Sequence, residues 1–100
     1  MIELGGIVGF EWDHGNIRKS AYKHGVSPRE AEQAFLDARL LILTDDEHSG
    51  AEKRFHAYGQ SARGRLLLVS FTLRQNETMV RVISARNMCR RERQRYAEES

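Results

Sequence analysis

Arg65-Leu66-Leu67-Leu68-Val69-Ser70-Phe71-Thr72-Leu73 is the stretch whose reading decides the fold. It is nearly all apolar, as expected of a central strand covered on both faces. Gly64 marks a turn before it, and Gln75-Asn76-Glu77 turns the chain after it into a second strand, Met79–Arg86. Upstream, Arg54–Gln60 alternates Phe55 and Ala57 against His56 and Tyr58, and Leu40–Leu43 is a short apolar run; both read as strands. Thr44–Ala51, rich in acidic residues with His48, Ser49 and Gly50, reads as the loop between them.

Toward the N-terminus, Ile7–Trp12 alternates weakly and reads as an edge strand. Asp13 can cap a helix running to about His24, with Gly25 as its left-handed stop. Ser27-Pro28-Arg29-Glu30 is the sharpest local signal. Ser27 caps, Pro28 suits the first helical position, and Glu30 can reach back to complete a capping box. That second helix is predicted to run to Asp37 or Ala38. A final helix is predicted from Asn87 or Met88. The fold class is therefore α+β: two N-terminal helices, an antiparallel sheet meander and a C-terminal helix, in a single domain over residues 1–100.

Charge is strongly polarised along the chain. Residues 1–50 carry five basic and nine acidic side chains, a net of −4, whereas residues 51–100 carry eleven and five, a net of +6. Arg81-Val-Ile-Ser-Ala-Arg86 and Arg90-Arg-Glu-Arg-Gln-Arg-Tyr96 together hold six arginines, no lysine and one carboxylate. Guanidinium groups are permanently charged planar forks that match phosphate oxygens two at a time, so this end is the candidate nucleic-acid face. The single Cys89 excludes an internal disulfide and any multi-cysteine zinc site, and fits a reducing compartment. With no visible secretory signal and no apolar run long enough to span a bilayer, the expected location is the cytoplasm, away from membrane.

Ordered pieces of the chain carry a family resemblance. They are Phe10-Glu11-Trp12-Asp13, Lys23-His24-Gly25-Val26-Ser27, Asp46-Glu47-His48-Ser49 and Glu52-Lys53-Arg54-Phe55. Tyr58-Gly59-Gln60-Ser61, Gly64-Arg65-Leu66-Leu67, Val69-Ser70-Phe71-Thr72, Arg81-Val82-Ile83-Ser84-Ala85-Arg86 and Arg90-Arg91-Glu92-Arg93 follow, up to Tyr96. With these the chain resembles the BrnT toxins of bacterial type II toxin–antitoxin systems, small ribonucleases whose fold is similar to that of RelE. The resemblance implies cofactor-free endoribonuclease activity on RNA. It also implies a cognate antitoxin, a ribbon-helix-helix (BrnA-like) protein forming a 2:2 complex that binds operator DNA. Departures from the family pattern fall at His14, Asn16, Ser20 and Leu73-Arg74-Gln75, so no carboxylate is available as a general base at position 73.

Metal-free RNA cleavage needs a base for the ribose 2′-hydroxyl, an acid for the leaving 5′-oxygen, and cations for the phosphorane. Arg74, Arg81 and Arg86 are the cations that strand ends hold best, with Arg74 and Arg86 assigned to catalysis and Arg81 to RNA binding. For proton transfer the candidates are His24, by intrinsic pKa, and Glu92, the carboxylate within the arginine helix. A histidine before a helix-ending glycine is equally well read as a cap on the last carbonyls. Lys23, Arg90, Arg91 and Tyr96 complete the expected RNA-binding set. His56 and Tyr58 share a polar strand face, and Trp12 reads as core. Asp45, Asp46, Glu47 and His48 lack the spacing of a rigid metal site, so no metal is expected. The sequence displays no Gly-rich phosphate loop and no Ser/His/Asp constellation. The alternative to a nuclease is a non-catalytic nucleic-acid-binding or corepressor module of the same fold.

Overall fold

In the computed structural model, residues 5–13, 15, 18 and 24–100 are described. The elements are β1 (Gly9–Glu11), α1 (Pro28–Ala34), β2 (Leu41–Thr44), β3 (Phe55–Gln60), β4 (Leu66–Arg74), β5 (Met79–Asn87) and α2 (Arg90–Glu99). The five strands form one sheet in the order β1-β5-β4-β3-β2. From β2 to β5 it is the expected antiparallel meander. The edge differs, because β1 joins β5 in parallel and makes the sheet mixed.

Of the two expected N-terminal helices, the first, Asp13 to His24, falls largely outside the described residues. The second is α1. Ser27 caps it by accepting from the Glu30 N–H at 3.1 Å, with Pro28 in the first turn. The capping box is not completed, because the Glu30 carboxylate is used elsewhere. Its oxygens take Arg65 Nη1 at 2.6 Å and Ser61 Oγ at 3.0 Å. Arg65 also donates to the Gly25 carbonyl (2.8 Å) and to Asn87 Oδ1 (3.0 Å), so one guanidinium fastens the entrance of α1 to β4 and β5. Gly25 has φ +64°, the left-handed stop its position suggests. The helix ends at Ala34, short of Asp37, whose carboxylate instead accepts from the Arg39 and Gln60 N–H groups.

One face of the sheet packs on α1. Val26, Ala31, Ala34, Phe55, Ala57, Leu67, Val69, Phe71, Val80, Val82 and Ala85 form its core. Edge-on ring contacts from Phe10 to Phe35 (5.2 Å) and Phe35 to Phe71 (5.3 Å) carry the core across to the β1 edge. Gly59 is required where α1 meets β3: a Cβ there would lie 2.3 Å from the Ala34 carbonyl oxygen.

The opposite face is only half covered. Helix α2 closes one end over a small cluster of Tyr58, Leu68, Met88 and Tyr96. The rest of that face is polar, and the sheet register places its residues in rows. His56 lies across from Ser70, and Ser70 from Ser84; Thr72 lies across from Arg81. A register shift beside Ser70 and Phe71 leaves Ile83 as an extra residue in β5. Regular alternation would put Arg81 and Arg86, five positions apart, on opposite faces. Buried Val80, Val82 and Ala85 face the α1 core, so the bulge brings both arginines to the open face.

Candidate functional site

The centre of the open face is built on Asp45, at the start of the β2–β3 loop. Backbone and side-chain bonds close that loop. Asp45 N–H donates to the Arg54 carbonyl (2.8 Å), Ser49 Oγ to the Asp45 carbonyl (2.7 Å), and Arg54 N–H to Ser49 Oγ (2.9 Å). The buried Asp45 carboxylate thereby meets two imidazoles. His48 Nδ1 is 2.9 Å from Oδ2, and His56 Nε2 is 3.1 Å from the same oxygen.

An ionised carboxylate only accepts, so the ring atoms facing it carry hydrogens. His56 Nδ1 is then the acceptor for Ser70 Oγ at 3.0 Å. Burial pulls His56 below its ordinary pKa; Asp45 opposes this and Arg86 reinforces it, leaving the ring neutral near pH 7. Asp45 itself is held below the usual carboxylate value. Burial raises it, but the His48 side-chain and backbone bonds and the field of His56 outweigh that. His48 has 60% of its side chain exposed, and its Nε2 is the ring nitrogen not engaged by Asp45.

Beside this cluster Arg86 and Glu92 form a two-pronged pair, Nη1–Oε1 and Nη2–Oε2 both 2.8 Å. Glu92 Oε1 also accepts from the Cys89 N–H at 2.8 Å, so it caps the first turn of α2. Burial pushes Glu92 upward, but Arg86 and Cys89 outweigh it and hold the carboxyl at about 2. Arg86 rises above its ordinary value through the bond to Glu92, against the effect of burial.

On the other side of the histidines opens a cleft of about 420 Å³, lined by His48, Gly50, Ala51, Glu52, Arg54, Thr72, Arg74, Arg81 and Ile83. Arg74 Nε lies 2.8 Å from Glu52 Oε2, off the line of its N–H, and Arg81 is 3.2 Å from Asp13. Among the described residues, no group of three or more His, Cys, Asp or Glu side chains is arranged to hold a metal ion.

The model of the family described as "Ribonuclease toxin, BrnT, of type II toxin-antitoxin system" matches residues 12–92. The chain belongs to the BrnT family. It is a ribonuclease toxin of a type II toxin–antitoxin system, with RNA as substrate and an antitoxin as partner. The crystal structure of the Brucella abortus ribonuclease toxin BrnT shares its fold, with a TM-score of 0.61 and 19% identity over 82% of this chain and 97% of that one. No curated protein matches the chain. No helix among the described residues is long and apolar enough to cross a membrane.

Within this BrnT chain the residues expected at the site are partly gathered. Arg74, Arg81 and Arg86 share the open face, and Glu92 joins Arg86. His24 lies on the α1 side of the sheet, where its carbonyl accepts from Arg65 at 3.3 Å. Lys23 is outside the described residues. Arg90 and Arg91 are exposed at the start of α2. Tyr96 is buried, and its hydroxyl donates to Asp37 at 2.5 Å; burial and that bond both raise its pKa. Sequence reasoning passed over Asp45, His48, His56 and Ser70 as a unit. Contrary to its expectation, a serine, a histidine and an aspartate do come together. The available signal was the three-residue spacing of Asp45 and His48, which places both on one loop turn; the 14 residues from His56 to Ser70 are bridged only by strand register.

Proposed function

We propose that RNA is cleaved on the open sheet face by a metal-free mechanism in which two histidines transfer the protons. The observation that carries this reading is the pair of imidazoles on one buried carboxylate, set between the Arg86–Glu92 pair and the arginine-lined cleft. Neutral His56, its pKa lowered, takes the 2′-hydroxyl proton at Nδ1, where the substrate hydroxyl replaces Ser70 Oγ. The 2′-oxygen attacks phosphorus. Protonated His48, steadied by Asp45, gives the Nε2 proton to the departing 5′-oxygen. The products are a 2′,3′-cyclic phosphate and a 5′-hydroxyl. Arg86 stabilises charge on the phosphorane, and Glu92 positions Arg86, because a carboxyl held at about 2 is a poor base.

The antitoxin in this reading is a ribbon-helix-helix, BrnA-like protein in a 2:2 complex that binds operator DNA, and the setting is the cytoplasm. The family membership supports that partner. The exposed arginines supply a charge that an inhibitor can neutralise.

Inducible expression of wild type, His48→Gln, His56→Asn and Arg86→Ala in bacteria, with growth and RNA ends followed, tests the proposal. Growth arrest with cyclic-phosphate ends, relieved in each variant although protein accumulates, is expected. Full toxicity of both histidine variants would remove their assignment. Healthy cells with intact RNA under wild type would leave a binding module.

A further inference from the structure

The cleft beside His48 contains a feature that folding alone does not account for. Thr72 is 6% exposed in the sheet, and its Oγ1 is buried with no hydrogen-bond partner among the described residues. Valine has the same shape, favours strands equally and carries no hydroxyl to leave unsatisfied. An unpaired hydroxyl at the floor of a cleft is useful to a ligand that completes it. The walls carry an acceptor and donors side by side. Glu52 is 45% exposed and presents a carboxylate, Arg74 lies against it, and Arg54 and Arg81 flank Thr72. Ile83, the bulged residue, supplies an apolar surface for a ring.

We propose that this cleft is a nucleotide subsite that selects guanine immediately 3′ to the cleaved bond. The inference rests on the reading of His48 as the group that protonates the 5′-oxygen, since the nucleoside bearing that oxygen must then lie on the cleft side of His48. Guanine alone presents two adjacent N–H donors, N1 and N2, next to a carbonyl acceptor, O6. Glu52 accepts from the donors and Arg74 donates to O6. Thr72 Oγ1 completes its bonding on the nucleotide, and Arg54 and Arg81 face the phosphate. Adenine, cytosine and uracil each lack the paired donors.

Two measurements separate this proposal from the reading beneath it. The first is titration of 5′-GMP, 5′-AMP, 5′-CMP and 5′-UMP into wild type, Thr72→Val and Glu52→Gln, followed by amide NMR shifts. Wild type is expected to bind 5′-GMP about tenfold or more tighter than the others. Glu52→Gln should lose that preference, and Thr72→Val should weaken 5′-GMP binding while its melting temperature is unchanged or higher. Equal binding of the four nucleotides, or variants indistinguishable from wild type, would overturn the subsite. The second is mapping of RNA cuts by wild type, which should fall before guanine. Selective 5′-GMP binding without any RNA cleavage supports the subsite and defeats the nuclease mechanism. Cleavage without base preference, unchanged in both variants, defeats the subsite and leaves the mechanism standing.

Discussion

The guanidinium of Arg86 and the carboxylate of Glu92 meet in parallel, two bonds of 2.8 Å joining the end of β5 to the first turn of α2. Glu92 has an ordinary pKa of 4.5 and is held at about 2 in the folded chain. The folded state therefore binds this proton more weakly than the unfolded state does. The stabilisation is complete above pH 4.5 and is lost as pH falls toward 2. It is worth about 2 kcal/mol after allowing for screening at the half-exposed Arg86. Urea denaturation at pH 7 and pH 3 should show wild type losing more than half of that, about 1 kcal/mol, beyond the loss in Glu92→Gln. Parallel losses in the two proteins would show that the pair is not what acid breaks.

Cleavage should depend on pH through His56. The rising limb belongs to loss of the His56 proton and lies below the ordinary histidine value of 6.5, because burial lowers that group. Asp45→Asn should reduce the rate about 100-fold or more by releasing both rings, with circular dichroism unchanged. Steady-state rates on a short RNA from pH 5 to 9 check both expectations.

Removing Arg65 leaves the buried Glu30 with Ser61 alone and frees the Gly25 and Asn87 acceptors. Arg65→Ala should destabilise the chain by about 2–4 kcal/mol, less than a fully buried pair because a quarter of the arginine side chain is exposed. Arg65→Ala with Glu30→Gln should recover part of the loss, which chemical denaturation of the single and double variants will measure.

The β4–β5 turn holds Gln75, Asn76 and Glu77 at φ 54°, 56° and 65°. Left-handed backbone costs a residue with a Cβ about 1–2 kcal/mol, and glycine returns roughly half of that as chain entropy. Glu77→Gly should therefore raise stability by about 0.5–1 kcal/mol, and Glu77→Val should lower it. Melting curves of the two variants beside wild type decide the sign.

The strands were legible because alternation and apolar runs report burial directly: Phe55 and Ala57 do face the core. The α1 boundary was overestimated because helix propensity says nothing of Asp37, which the Arg39 and Gln60 N–H groups draw out of the helix. The parallel pairing of β1 was invisible, since strand direction depends on a partner 70 residues away (Gly9 with Met79). Nothing in Ile83-Ser84 announces a bulge, yet it sets the facing of Arg81 and Arg86. The strand arginines Arg74, Arg81 and Arg86 do gather on one face, the open one. Residue roles were harder, because His56, Ser70 and Asp45 are brought together by register and a loop closure. The pairing of both Glu92 oxygens with Arg86, and of one with the Cys89 N–H, joins a strand end to a helix start and has no signature in the sequence.

Gly59 bears on how variants of this toxin will be read. Its hydrogen faces the Ala34 carbonyl so closely that even a methyl group would collide at 2.3 Å. In a survival screen, cells escape a toxin by any route that disarms it, and a misfolded chain is as harmless as an inactive one. Escape mutants should therefore recur at position 59 as readily as at the histidines. A hit there reports crowding between a helix and a strand, on the side of the sheet away from the proposed chemistry.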